Sequence, residues 1–230
     1  MVIKFLQVAI AQKELNRKYD EFYHCSIGVN LETNELTRLY PVELYAMRKN
    51  HVYEVQVEPM TCRRENSFKP IKYKWMKEIS RVRTTEILNQ IPLTTIDELN
   101  QSKLSMGVID VSEKRLMVCT NEQEVIETQI DMFEGGTLAV KSPPTNYAEQ
   151  VHKDIRIRFK DLDTKQGYRE LGYHENHFYV GIDKNGKLPT TYDKPEWNRM
   201  IVGNLRNHRP TFIGLCLFKG MNVQNYHAIN

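Results

Sequence analysis

Short apolar runs that alternate with polar residues, separated by turn and loop residues, constrain this chain most. The stretch HVYEVQVEPM (51–60) sets Tyr53, Val55 and Val57 on one side and Val52, Glu54, Gln56 and Glu58 on the other. That is the period of a half-buried strand. FYHCSIGVNL (22–31) and ELTRLYPVEL (35–44) are two further β-rich runs, separated by Glu-Thr-Asn, and together they read as a hairpin. Pro41 cannot donate to a ladder, so it ends the second strand or lies at an edge. Residues 2–11 suit a first strand and do not read as a signal peptide.

The pattern continues down the chain. Ile155, Ile157 and Phe159 alternate with charges in DIRIRFKDLD (154–163), a strand with one wet face. Residues 103–119 suggest two short strands, 177–189 a hairpin turning at Asn185-Gly186, and 199–218 two apolar strands around a polar loop. Residues 12–20 read as a loop. TTIDELNQ (94–101) reads as a short helix capped by Thr94 or Thr95, with acids in its first turn. The sum is a β-rich α+β fold: a mostly antiparallel sheet or a partly open barrel with a few short helices. It is expected to form one domain over 1–230, with sub-lobes 1–134 and 148–230 joined by the Gly-Gly/Pro-Pro stretch as the alternative.

Composition excludes several classes. Hydrophobic residues make up 40% and charged residues 27%, the profile of a soluble globular protein. No apolar run reaches the roughly 18 residues of a membrane helix, so a cytoplasmic protein without a membrane partner is expected. The four cysteines are far apart and form no CxxC pair, which argues against a zinc ribbon; Cys25, Cys119 and Cys216 read as buried free thiols. There is no phosphate-binding glycine loop, no dinucleotide fingerprint and no metalloprotease helix. No cofactor is indicated.

The net charge of +3 hides a segregation. Residues 1–84 carry 15 Lys and Arg against 10 Asp and Glu, residues 85–134 carry 3 against 10, and residues 135–230 carry 14 against 9. Two basic blocks flank an acidic one, and such patches act over a Debye length of about 8–10 Å.

Within the first basic block, residues 61–84 interleave eight Lys and Arg with Phe68, Tyr73 and Trp75. Arg63, Arg64, Lys69, Lys72 and Lys74 suit a phosphate backbone, and Trp75 offers a face on which a base can stack. The competing reading is structural: in a strand Lys72 and Lys74 share one face, which sends Tyr73 and Trp75 to the other, towards a core. The loop after Gly203 gathers Asn204, Arg206, His208 and Arg209. Its arginines can grip phosphate, its asparagines can meet base edges, and His208 can move a proton near neutral pH. Arg38 is a further phosphate ligand on this reading. If the protein is an enzyme, His208, Glu65 and Asp20 are the candidate catalytic or divalent-cation groups. HENH (174–177) lacks the i, i+4 histidine spacing of a helical metal site, and no metal is assigned.

The order of KYDEFYHCSIGV, TRLYPVEL, RRENSFKP, KLSMGVI, IRIRFKD and GNLRNHRPTFIGLCLF resembles a group of uncharacterised bacterial and phage-borne proteins with no assigned activity. The resemblance covers most of the chain. It implies that Arg38, Tyr40, Pro41, Glu65, Lys69, Gly203, Asn204, His208 and Pro210 belong to recurring segments, and it implies a phage or host–phage conflict setting. The favoured expectation is a nucleic-acid- or nucleotide-phosphate-binding protein. The alternatives are a host-protein inhibitor or adaptor acting through the acidic block at Glu122, Glu124 and Glu127, and a metal-dependent nuclease or nucleotide hydrolase.

Overall fold

A computed structural model describes residues 1–11, 14–16, 21–43, 46–60, 65–102, 104–120, 153–160, 168–175, 190–204 and 212–221. The first body is built from β1 (Val2–Ile10), β2 (Glu14–Asn16), β3 (Glu21–Asn30), β4 (Glu35–Val42), β5 (His51–Pro59) and β6 (Ser67–Glu78). Its strand order is β1-β5-β6-β4-β3-β2, and β1 also pairs with β3, so five strands close into a barrel. All its pairings are antiparallel except β4 with β6, which is parallel and rests on two residue pairs, Arg38 with Ser67 and Leu39 with Phe68. The fold is β-rich as the alternation predicts, and its barrel is closed. β2 is a small departure: part of the expected loop at 12–20 adds a short strand to β3.

Alternation decides what the barrel encloses. Ile3, Phe5, Leu39, Val42, Tyr53, Val55 and Val57 point inward with Met47. Their strand neighbours Glu54, Gln56 and Glu58 stay exposed. Gly28 faces Gln7 across β1–β3. A Cβ there would lie 2.1 Å from the Leu6 carbonyl oxygen and 2.5 Å from the Phe5 ring, so only glycine lets these strands close over Phe5. A bulge follows at Gln7–Ala9. Buried Gln7 holds it by donating from Nε2 to the Ala9 carbonyl at 2.6 Å and accepting from the buried Ser26 hydroxyl.

Two short helices follow. α1 (Arg81–Asn89) is capped by Ser80, whose hydroxyl accepts from Arg83 N. α2 (Ile96–Gln101) has the expected cap at Thr95, which exchanges hydrogen bonds reciprocally with Glu98. Then comes a second sheet of β7 (Met106–Asp110), β8 (Ser112–Thr120), β9 (Lys153–Lys160), β10 (Arg169–Tyr173), β11 (Arg199–Asn204) and β12 (Phe212–Phe218), in the order β7-β11-β12-β10-β9-β8. β7 and β8 stand at opposite edges of that order, yet only Val111 separates them in the chain. The sheet must therefore curl until its edges meet. The curl wraps Ile109, Val111, Ile155, Ile157, Phe159, Tyr173, Met200 and Val202, with Ile96 and Leu99 of α2 packed against them. This sheet takes strands from both sides of the Gly-Gly/Pro-Pro stretch, which itself lies outside the described residues.

A third apolar layer lies between the two bodies. Leu6, Val8, Ile27 and Val29 on the outside of the barrel meet Val108, Ile201, Ile213 and Leu215 of the second sheet, with Ile87 and Leu88 of α1. Each such side chain contributes roughly 1.5–3 kcal/mol when fully buried. Gly28→Ala is expected to lower unfolding free energy by at least about 1–3 kcal/mol through overpacking; an unchanged denaturation midpoint in chemical unfolding would show that the β1–β3 approach is looser than described.

Candidate functional site

Two regions bring candidate residues together. The first is β6. Lys69, Lys72 and Lys74 are exposed and lie opposite Glu58, Gln56 and Glu54 of β5. Two acids thus face three lysines, yet none of these lysines, nor Lys77, has a carboxylate within 4.0 Å among the described residues. Tyr73 and Trp75 do share the other face, opposite Val55 and Tyr53. The structural reading would bury them there; instead they are 42% and 57% exposed. The cause is the short β4–β6 contact: past Phe68, β6 pairs only with β5 among the described residues, so its free edge runs beyond the barrel. Ile71 and Met76 are exposed along the same edge.

The second region is a cleft between the barrel and the second sheet, lined by Arg38, Cys25 and Ile27 from the barrel and by Ser105, Met106, His174 and Asn204 from the other side. Arg38 donates from Nε to Cys25 Sγ at 3.3 Å, and its guanidinium lies 5.4 Å from the Tyr40 ring centre. Arg38 N–H donates to the Asn66 carbonyl and Ser105 Oγ to the Glu65 carbonyl, so the start of the basic segment borders the cleft. Gly203 belongs here for packing: a Cβ would meet Leu215 Cδ1 at 2.7 Å.

The sequence candidates therefore divide. Arg38 and Asn204, 166 positions apart in the sequence, line one cleft. Lys69, Lys72, Lys74 and Trp75 lie on β6. Glu65 is exposed beside the cleft. Arg63, Arg64, Arg206, His208, Arg209, Asp20 and the acidic Glu122, Glu124 and Glu127 lie outside the described residues. Among the described residues no three His, Cys, Asp or Glu side chains are grouped to hold a metal ion. No described helix is long and apolar enough to cross a membrane.

Sequence reasoning missed a polar cluster deep in the junction. Glu175, only 2% exposed, accepts from Lys49 Nζ at 2.9 Å through Oε1 and from the Tyr173 hydroxyl at 2.6 Å through Oε2. The Leu217 N–H donates to that hydroxyl at 2.9 Å. Lys49 comes from the β4–β5 connection and Tyr173 from β10, so the cluster ties barrel to sheet; Ala11 also bridges to Glu175. Burial opposes the Lys49 charge, but the negative charges of an ionised Cys216 and of Glu175, with the Glu175 hydrogen bond, hold its pKa above the ordinary value. Cys216 is itself pushed up by burial to about 12. Burial first, and Glu175 second, push Tyr173 well above its ordinary value.

No protein-family model, curated protein or solved structure matches this chain.

The three raised values agree in sign. The folded state holds protons on Cys216, Tyr173 and Lys49 that the unfolded chain releases from about pH 9, 10 and 10.5 upward. Their contribution to stability is complete below pH 9 and lost as pH rises beyond it, so the thermal midpoint should decline in alkali, and less so in Cys216→Ala. Lys49→Met should cost about 2–4 kcal/mol in chemical denaturation, somewhat under the figure for a fully buried pair because Lys49 is 32% exposed. A midpoint unmoved by that change would mean that Glu175 does not depend on its lysine.

Proposed function

We propose that the protein binds nucleic acid along β6. The observation that carries this reading is the exposure of Tyr73 and Trp75 on a strand edge that is unpaired among the described residues and whose opposite face carries Lys69, Lys72 and Lys74. Bases stack on aromatic faces whatever their sequence, at about 1–3 kcal/mol per base, while lysines neutralise the backbone. Lys72 and Lys74 are two residues apart on the strand, about 6.6–6.8 Å at the usual rise, a spacing that suits successive phosphates of an extended single strand.

The barrel adds weaker support. Leaving aside the short β2, its strands run in the cyclic order first, second, third, fifth, fourth, with the third and fifth parallel. Five-stranded Greek-key barrels of the OB-fold type carry oligonucleotides and oligosaccharides. That is an analogy of architecture, and architecture does not fix function. The outer face of the second and third strands, which such barrels use, is here buried in part: Cys25, Ile27 and Val29 pack towards the second sheet. The binding surface is thus displaced to β6. The resemblance to phage-borne proteins favours a phage or host–phage conflict setting, with the protein acting in the cytoplasm.

Fluorescence anisotropy with labelled single-stranded DNA and RNA tests the reading. If Lys69, Lys72, Lys74 and Lys77 each neutralise one phosphate, log affinity should fall with log salt at a slope near −2.8, about −0.7 per phosphate. Lys72→Glu with Lys74→Glu should weaken binding and flatten that slope by roughly half. Trp75→Ala should weaken binding about fivefold to a hundredfold with little change of slope. No binding to either polymer at low salt removes the proposal.

A further inference from the structure

Among the described residues, Arg38 lines the cleft with part of its hydrogen-bonding capacity unused. Its side chain is partly buried, and Nε is spent on the Cys25 sulfur. The Tyr40 ring supplies only a π face. No carboxylate lies within 4.0 Å of its guanidinium among the described residues. A guanidinium drawn partly out of water without a counter-charge is costly. With Nε engaged, the two terminal nitrogens still form a planar fork of donors, which matches two oxygens of one oxyanion. His174 and Asn204 bring a ring nitrogen and a carboxamide to the same cleft and are partly exposed there, so that end opens to solvent.

Size narrows the ligand. The free volume of the cleft is about 30 Å³, room for a water or two. That room suits a small anionic head group at the mouth, with its carrier outside, better than a whole sugar or base. Position narrows it further. Arg38 pairs with Ser67 at the start of β6, two residues before Lys69. A polymer lying along β6 would bring one of its ends to this cleft.

We propose that the Arg38 cleft is a phosphoryl-binding site that takes a terminal phosphate, with the Arg38 guanidinium as its principal ligand. The phosphate belongs to the end of a nucleic-acid strand or to a free nucleotide. The site rests on the geometry of the cleft and stands without the β6 reading.

The test titrates the full chain with inorganic pyrophosphate by calorimetry at low salt, and then compares 5′-phosphorylated with 5′-hydroxyl oligonucleotides and with a nucleoside monophosphate. Saturable pyrophosphate binding is expected, weakened about tenfold or more in Arg38→Gln and only partly in Arg38→Lys. Asn204→Asp sets a carboxylate in the cleft with almost no change of volume and should also abolish binding; it decides the matter if Arg38→Gln fails to fold. A preference for the 5′-phosphorylated strand that disappears in Arg38→Gln identifies a strand end, whereas binding of the monophosphate without that preference identifies a free nucleotide. Lys72→Glu with Lys74→Glu should lose oligonucleotide and keep pyrophosphate, so failure of the β6 reading is seen separately. Absence of saturable pyrophosphate binding, or folded Arg38→Gln and Asn204→Asp proteins that bind like the wild type, overturns the proposal.

Discussion

The buried carboxylate of Glu175 is the constraint on which the arrangement of the two bodies depends. A carboxylate with 2% exposure is tolerable only when paired and hydrogen-bonded. Lys49, from the barrel, and Tyr173, from the sheet, both supply that pairing. The apolar layer around Ile27, Val29, Ile201 and Leu215 supplies most of the attraction, because many side chains each contribute roughly 1.5–3 kcal/mol. Apolar contact has no direction, however, and is indifferent to a small rotation of one body on the other. The Glu175 hydrogen bonds are not. Stability therefore comes chiefly from the greasy layer, and register from the polar cluster.

That register has a chemical consequence a short distance away. Ala11 bridges to Glu175 and also lines the cleft, and His174 lines it from the residue before Glu175. Once the bridge is set, the neighbouring strands can shift little, and Arg38 of β4 and Asn204 of β11 line one small cleft. The cleft is thus a by-product of how two curled sheets meet, with its cation contributed by one and its amide by the other. Neither body alone contains it.

Much of the local structure was legible and little of the long-range structure was. β5 and β9 follow from alternation because each has one face in an apolar core, the β11–β12 hairpin follows from two continuous apolar runs buried on both faces, and α2 follows from a threonine cap with acids in the first turn. α1 was hidden: RVRTTEILN sits inside a basic run and buries only Thr84, Ile87 and Leu88, too few to mark a helical face. Barrel closure rests on two residue pairs between β4 and β6, and no local pattern announces a parallel contact. Lys49 meets Glu175 from 126 positions away, and nothing in RKNH around that lysine signals a buried partner. Arg38 and Asn204 could be nominated one by one from their chemistry, but their meeting is a property of the fold.

The case of Tyr73 and Trp75 shows how alternation can be right about direction and wrong about burial. Both face the same way as Val55 and Tyr53, as period two requires. They stay exposed because β4 turns away after Leu39 and leaves that length of β6 uncovered. A bare strand edge is a hazard that proteins commonly blunt with lysine, and Lys69, Lys72, Lys74 and Lys77 would serve that purpose without any ligand. Protection alone, though, calls for charge and gains nothing from large rings. A guarded edge would be better served by small polar residues between the lysines than by Tyr73 and a Trp75 more than half exposed. The two rings differ in this respect: Tyr73 meets the buried Tyr53 ring edge-on with 6.2 Å between centres, so packing accounts for its direction, whereas Trp75 is more than half exposed and is the side chain on which the proposed stacking surface chiefly rests.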